Sequence, residues 1–345
     1  MTAPSHPPDA QMMQFILGKW ISRPVHTAAE LRIADLLIEG PQHVNTLAER
    51  TGTKPELLCR LLRALASVGI FRETEDGIFE QTPLSESLQE GRLRSAAMMF
   101  HATWHDAAWA QLTETLRSGT PGFELAHRAN AFDWFAAHPD DAKLFNQTNA
   151  MQSLRVQSAL LDQVDFSRFE HVIDAGGGLG DLLIRILRRY PSLHGTVAER
   201  EDLLPEIKAN IARHDLSDRM DAVACDILTA VPPGGDAIML SHILHDWSDD
   251  DCLRILRSCR TALAEQGILM IAEAVIPPGN DFSPAKLLDL EVLVMGGGKE
   301  RSEQEFRRLL AQGGFRDIAI TSISPELAVI EARPSAVSED THSAP

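Results

Sequence analysis

From residue 171 to 273 the chain repeats one pattern, a short apolar run that reads as a strand followed by a stretch of helical periodicity. The runs are His171–Asp174, Thr196–Glu199, Ala222–Asp226, Ala237–Leu240 and Ile268–Glu273, with further ones near Ile318 and Val329. Strands spaced by helices pair through crossovers, so the pattern predicts a parallel, doubly wound α/β sheet. The first strand runs straight into a glycine-rich turn, VIDAGGGLGDLL. In an open sheet of this kind ligands bind outside the carboxyl ends of the strands, where this turn falls.

The spelling of the turn narrows the ligand. Gly176, Gly178 and Gly180 are in place, but a dinucleotide fingerprint needs its third glycine at position 181, which is Asp181. A carboxylate there opposes a pyrophosphate at the helix N-terminus. It suits a phosphate-free nucleoside with a cationic amino-acid portion, and S-adenosylmethionine is such a ligand. Asp174 precedes the turn, Glu199 ends the second predicted strand and Asp226 ends the third. Glu199 can accept ribose hydroxyls, and Asp226 the adenine amino group.

The fourth predicted strand leads into LSHILHDWSDDDCLRIL. Ser248 and Asp251 read as a capping box, with Asp249, Asp250 and Asp251 placing negative charge in the first helical turn. His245 lies just before that helix, at the ligand edge, where a neutral imidazole can take a proton from a substrate hydroxyl. Glu273, closing the next strand, and Glu300, in GGGKERS, are carboxylates able to orient it. His242 is three residues away, but no third ligand stands at a spacing that tells of a metal.

Upstream, Met13, Ile16, Leu17, Trp20 and Ile21 follow helical spacing, Pro24 should break or kink that helix, and a second helix covers Ala28 to Ile38. Asn45 reads as the cap of a short helix ending at Gly52, and Thr53 with Glu56 as the capping box of a longer one. That helix buries Leu58, Leu61, Leu62, Leu65 and Val68, and a hairpin turns at Asp76-Gly77. Together they spell a winged helix. Residues 84 to 165 read as helical and rich in aromatic side chains.

A winged helix raises the rival reading of a regulator with a small-molecule domain, since its second helix carries Lys54, Arg60 and Arg63 against Glu56. A net charge of −17 opposes it, because it repels nucleic acid and acidic membrane surfaces alike. There is no apolar run long enough to span a bilayer and no basic, then apolar, leader at the start. The four cysteines form no C-x-x-C pair, which argues against a disulfide scaffold or structural zinc. Arginine far outnumbers lysine, as in GC-rich bacterial genomes, so a bacterial cytoplasmic protein is expected.

In order along the chain, VIDAGGGLG, LHDWSDDD and GGKERSEQEF resemble the S-adenosylmethionine-dependent O-methyltransferases of the caffeic-acid type. Bacterial relatives in that family methylate phenazines, polyketides and other secondary metabolites. The resemblance covers nearly the whole chain and implies a Rossmann-like catalytic domain behind a mostly helical winged-helix dimerisation domain. The implied boundaries are a disordered tail over 1–10, the dimerisation domain over 11–98 and a helical pocket segment over 99–165. The catalytic domain then covers 166–333, with a second tail over 334–345.

By position, the resemblance gives Asp174 and the three glycines the methionine end of the cofactor, Glu199 the ribose, and Asp226 with Ile227 the adenine side. Ser241 completes the cofactor set at a place where plant members carry lysine. His245 is the general base, flanked by Glu273 and Glu300. Met99, His101, Trp104, Phe145, Asn149 and Met151 line the pocket for an aromatic, phenolic substrate, with His242 and Asp246 beside the base. The family works as a homodimer through the winged helix, binds neither DNA nor membrane, and uses no metal, because the sulfonium is itself a strong electrophile. S-adenosylhomocysteine is the product. Where the family has Asp-Leu-Pro at the ribose position, this chain has Glu199-Arg200-Glu201. Some bacterial relatives lack the histidine and perform hydroxylation, so His245 argues for methyl transfer here, with hydroxylation or decarboxylation as the alternative reaction.

Overall fold

Val172, Ile173 and Ala175 put apolar side chains on both faces of the strand His171–Ala175, which is buried from Val172 onward as a central parallel strand requires. It belongs to a computed structural model that describes residues 7–335, the side chain of Phe132 excepted. These residues divide into two compact units. One holds the chain up to Thr113 together with Gly122–Leu154; the other holds Glu114–Pro121 and the chain from Arg155 onward. The division falls inside the single helix Pro139–Gln163, a continuity that the expected boundary after residue 165 did not anticipate.

In the first unit a helix already begins at Pro8, inside the stretch expected to be an unstructured tail. Pro24 lies within the helix Lys19–Glu30 without ending it. A proline there costs one backbone hydrogen bond, and the last turn of the helix buries Ala28 and Ala29. The helix expected over Ala28–Ile38 is instead interrupted at Arg32, whose φ is 58°, and resumes as Ile33–Leu36.

Next come β1 (Gln42–His43), the helices Val44–Thr51 and Pro55–Ser67, β2 (Phe71–Glu75) and β3 (Ile78–Gln81). The strands pair antiparallel in the order β1-β3-β2, completing the winged-helix pattern. Two expected caps are replaced. The His43 ring nitrogen accepts from Asn45 N at 3.1 Å, so His43, not Asn45, caps the first helix. Thr53 shares its hydroxyl with Thr51, and the second helix starts on Pro55, whose missing N–H needs no cap. Leu47, Leu58, Leu62, Leu65, Phe71 and Phe79 form the core, while Val68 is exposed. Met13, Phe15, Ile16, Trp20 and Ile21 are exposed as well, an apolar face at the start of the chain.

The second unit is built on β4 (His171–Ala175), β5 (His194–Glu199), β6 (Met220–Ala224), β7 (Ala237–Ser241) and β8 (Ile268–Glu273). After β9 (Val275–Ile276) and β10 (Arg301–Ser302), which pair with each other in parallel, come β11 (Phe315–Ser324) and β12 (Leu327–Pro334). The seven-stranded sheet runs β11-β12-β8-β7-β4-β5-β6. Its first five strands in sequence are parallel as expected, but β12 and β11 are antiparallel and make the sheet mixed. Only the turn at 325–326 separates these last two strands, too few residues for a crossover. β12 extends through Pro334, into the expected C-terminal tail; the rest of both expected tails lies outside the described residues. Among the described residues no helix is long and apolar enough to cross a membrane.

The chain winds outward from β4 to β5 and β6 on one side, and from β7 to β8 on the other. The carboxyl ends of β4 and β7 therefore form the switch point of the sheet, where a crevice opens. The helix Asp181–Arg189 follows β4 and buries Leu182, Leu183, Ile186 and Leu187 against the sheet. Gly176 starts the turn between them at φ 75°, and a Cβ there would sit 2.6 Å from Ile243 Cδ1. Gly176→Ala should cost about 2–4 kcal/mol, the left-handed strain plus overpacking. Urea unfolding measures it, and a loss below about 0.5 kcal/mol, the range of neutral surface changes, would mean that the turn relaxes freely.

Candidate active site

Three carboxylates are buried at this edge of the sheet. Asp174, the fourth residue of β4, is 1% exposed, and among the described residues neither of its oxygens has a hydrogen-bond partner. Burial, then the charge of Glu199, pushes its carboxyl up to about 7. Glu199 ends β5, and its two oxygens accept from the backbone N–H of Gly178 (3.0 Å) and of Arg200 (2.9 Å). The glycine turn is thereby bound to the second strand by the residue expected to hold ribose. Asp226 lies two residues beyond β6, not at its end, and is exposed, accepting from Leu228 N at 3.0 Å. Ile227 and Ile243 both approach Gly176. Ile243 went unnoticed in the sequence because an apolar residue in a loop carries no chemical signal.

β7 ends at Ser241, and the turn after it is strained. His242 takes φ 54°, a conformation that side chains with a Cβ rarely adopt and that concentrates at functional sites. Burial, then the nearby His245, drives its imidazole down to about 4, so it is neutral at physiological pH. Its ring centroid is 5.6 Å from that of His245, and its Nδ1 is 3.4 Å from Ser241 Oγ.

His245 Nδ1 is 2.8 Å from Glu300 Oε1, while Nε2 is 3.6 Å from the largely exposed Asp246. Burial disfavours the imidazolium, yet Glu300, Glu273 and Asp246 outweigh it and push His245 up to about 9. Glu273 is placed differently from the expectation of a flanking partner. Its Oε1 accepts from the backbone N–H of Ile243 (3.1 Å) and Leu244 (2.5 Å), so it holds the turn rather than the ring. Burial pushes its carboxyl up to about 7, against the opposing pull of His245. Glu300 reaches the ring because residues 297–299 close over the turn. Lys299 N donates to His245 O at 2.8 Å, and a Cβ on Gly298 would overlap that carbonyl. Asp289 completes the support by accepting from Glu300 N at 2.9 Å.

Besides His242 and Asp246, the expected substrate residues lie in the middle of the chain, His101 in a turn and the others in helices. Trp104 is buried, packs edge-on to Phe135, and among the described residues has no hydrogen-bond partner for its indole N–H. Phe145 stacks on the same Phe135 at 4.6 Å, so one aromatic cluster joins two of the candidates. His101 pairs with Asp106 at 3.2 Å, and burial lowers its imidazole against the pull of that acid. Met99 is buried, Met151 half-buried and Asn149 exposed; no recorded ring contact or hydrogen bond brings these three into the cluster. Among the described residues no group of three His, Cys, Asp or Glu could hold a metal ion.

This arrangement fits the expected cofactor. A buried carboxylate without a partner calls for a cation, as the amino group of S-adenosylmethionine would be, and Glu199 lies beside the turn as a diol acceptor. Comparison with known proteins agrees. Residues 109–316 match the O-methyltransferase domain family, and residues 13–91 the O-methyltransferase dimerisation domain. The chain belongs to this O-methyltransferase family. It is 38% identical to a phenazine O-methyltransferase of Lysobacter antibioticus, covering 94% of this chain and 95% of that protein. It is 32% identical, over 93% of this chain and 96% of the relative, to a phenazine-1-carboxylate N-methyltransferase of Pseudomonas aeruginosa. The structure of a mitomycin 7-O-methyltransferase superposes with a TM-score of 0.86 at 33% identity, covering 95% of this chain and 98% of that one. A neocarzinostatin-pathway O-methyltransferase, solved with S-adenosylmethionine and 2-hydroxy-5-methyl naphthoic acid, superposes at 0.76 with 28% identity, covering 91% and 95%.

Were Asp174 to hold the amino group it would have to be ionised, whereas burial pushes its carboxyl up to about 7. A cationic ligand lowers that midpoint, so binding expels a proton below it and affinity rises with pH. S-adenosylhomocysteine should bind about tenfold more tightly at pH 8 than at pH 6. Asp174→Asn should weaken it by about 10- to 100-fold at pH 8, the loss of a charge-assisted hydrogen bond, and flatten the pH dependence. Calorimetric titration checks both, and an unchanged slope in the variant would take Asp174 out of the site.

Proposed function

We propose that the protein methylates a hydroxyl, phenolic in character, of a planar aromatic secondary metabolite with S-adenosylmethionine, and that His245 is the general base. The observation that carries this reading is the 2.8 Å contact between His245 Nδ1 and buried Glu300, with the base on a turn at the switch point of the sheet. An Nδ1–H donated to Glu300 leaves Nε2 with the lone pair that accepts a proton. S-adenosylmethionine, when bound, supplies an activated methyl group and a positive charge to a site rich in carboxylates. His245 acts only when neutral, and the carboxylates that strengthen it as a base also keep it protonated near pH 7. Asp174 and the glycine turn would hold the amino-acid end, and Glu199 the ribose. Positioning of the acceptor oxygen provides the remainder of the rate.

An aromatic acceptor is supported by the cluster of Trp104, Phe135 and Phe145 and by relatives named for phenazine and naphthoate chemistry. A homodimer through the first unit is supported by the match of residues 13–91 and by the exposed apolar face around Phe15 and Trp20. Phe15→Glu with Trp20→Glu should halve the mass seen by light scattering; a mass unchanged by both would place the interface elsewhere.

His245→Ala should keep its affinity for S-adenosylhomocysteine and lose about 10²- to 10⁴-fold in turnover. A suitable panel is a hydroxyphenazine, a dihydroxynaphthoate and 3-amino-4-hydroxybenzoate, assayed with labelled methyl donor. Turnover at the wild-type rate would remove the base assignment. In the wild type, kcat/KM should climb as pH rises toward 9, where the imidazolium loses its proton. Glu300→Gln removes the charge that holds the proton, so the climb should move to lower pH. A limb that stays put in that variant would mean that another group is titrating.

A further inference from the structure

Among the fully buried side chains the bulkiest is Arg301, 1% exposed, the residue that follows Glu300 in β10. All three guanidinium nitrogens reach the turn that carries His245 or the helix start behind it. Nη1 donates to Leu244 O at 2.8 Å and Nη2 to Trp247 O at 3.0 Å, so the two carbonyls that bracket His245 are gripped by one planar group. Nε and Nη2 both donate to Asp249 Oδ1, at 3.0 and 2.7 Å, and Nη1 also meets Lys299 O at 3.3 Å. The two carbonyls also meet weak sulfur contacts from Cys252, at 3.2 and 3.6 Å, and Leu244 O accepts the backbone N–H of Trp247 at 3.3 Å. Two successive residues thus divide the work, Glu300 taking the ring and Arg301 the backbone on either side of it.

A lysine could supply the charge but not this geometry, because a fork of fixed angles is what spans two carbonyls and a carboxylate at once. Charged and titratable groups face His245 from every neighbouring element: Glu300 from the loop just before β10, Glu273 from the end of β8, Asp246 from its own turn and His242 from just past β7. None of these makes the carbonyl contacts of Arg301.

We propose that Arg301 is the positioning residue of the base, holding the Leu244–Trp247 turn where Glu300 can reach the His245 ring. The proposal rests on the reading of His245 as the base. It also gives Asp249 a task beyond the helix dipole, since that exposed acid anchors the outer edge of the guanidinium.

The test is an NMR titration of the His245 ring, assigned by its absence in His245→Ala, in wild type, Arg301→Lys and Arg301→Met. Binding of S-adenosylhomocysteine by calorimetry serves as the check on folding. The wild-type midpoint should lie near 9. In a folded Arg301→Lys it should fall by about one unit or more as the contact with Glu300 loosens. Turnover with the best acceptor of the phenol panel should drop about 10- to 100-fold in kcat, the effect of a misplaced catalytic group, with KM little changed. A lower melting temperature with an unmoved midpoint and unchanged kcat would make Arg301 a structural residue only and overturn the proposal. Should both Arg301 variants fail to bind the product, Asp249→Ala, at an exposed position, is read instead: a downward shift supports the proposal and no shift overturns it. The base reading fails separately, through turnover retained in His245→Ala, whatever the imidazole midpoint does in the Arg301 variants.

Discussion

Burying carboxylates without enough cations is the constraint around which the second unit is organised. Asp174, Glu273 and Glu300 are each 1% exposed or less, and four of their six oxygens have no hydrogen-bond partner among the described residues. Desolvating an anion costs several kcal/mol unless charge or hydrogen bonds compensate. Two responses are visible. Asp174 and Glu273 are shifted toward the neutral form, and His245 is shifted toward the charged one. An edge with an excess of negative charge is therefore prepared for a cationic ligand before one arrives. Such a site gains more from a sulfonium nucleoside than from any phosphate-bearing cofactor, which is also what Asp181 at the head of its helix implied.

The two glutamates beside His245 illustrate how similar side chains acquire different tasks from their elements. Glu273 closes a central strand, so its carboxylate points along the neighbouring β7 and meets the free N–H groups of the turn. Glu300 arrives from a loop held by Asp289 and by the approach of Gly298, and from there it meets the ring. The left-handed His242 is what lets the chain leave β7 and present Ile243 to the glycine turn and His245 to Glu300. The glycine turn and the His245 turn are thus joined through one apolar contact. Strain at one residue is exchanged for register at two sites.

Much of this was legible in the sequence because it depends on local chemistry. Alternating strands and helices, a glycine turn with an acid near the end of each of the first two of those strands, and a histidine before a capped helix are patterns that need no tertiary knowledge. What escaped depends on partners distant in the chain. Asn45 and Thr53 are good caps by type, yet His43 and Pro55 occupy the geometry first. The aspartates at 249–251 read as helix-start charge, and nothing local reveals that Asp249 meets an arginine 52 residues away. Glu273 was assigned the ring because strand order shows which residues adjoin, but not which way a carboxylate turns. The antiparallel pair at the end of the sheet hinged on a short turn that sequence periodicity does not measure.

The strength of the base bears on the acceptor. An amine attacks with a lone pair it already holds, so a base is needed only to clear the proton afterwards. A phenol, with a pKa of about 10, attacks poorly until its proton is leaving, and transfer is efficient when donor and base are matched. An ordinary histidine falls more than three units short of such a phenol. His245, raised to about 9, closes most of that gap, and it does so through Glu300 and Glu273, neither of which an amine substrate would require. The relatives methylate at oxygen and at nitrogen alike, so the fold does not choose between them. Under the proposal that His245 is the base, the carboxylates around it favour oxygen.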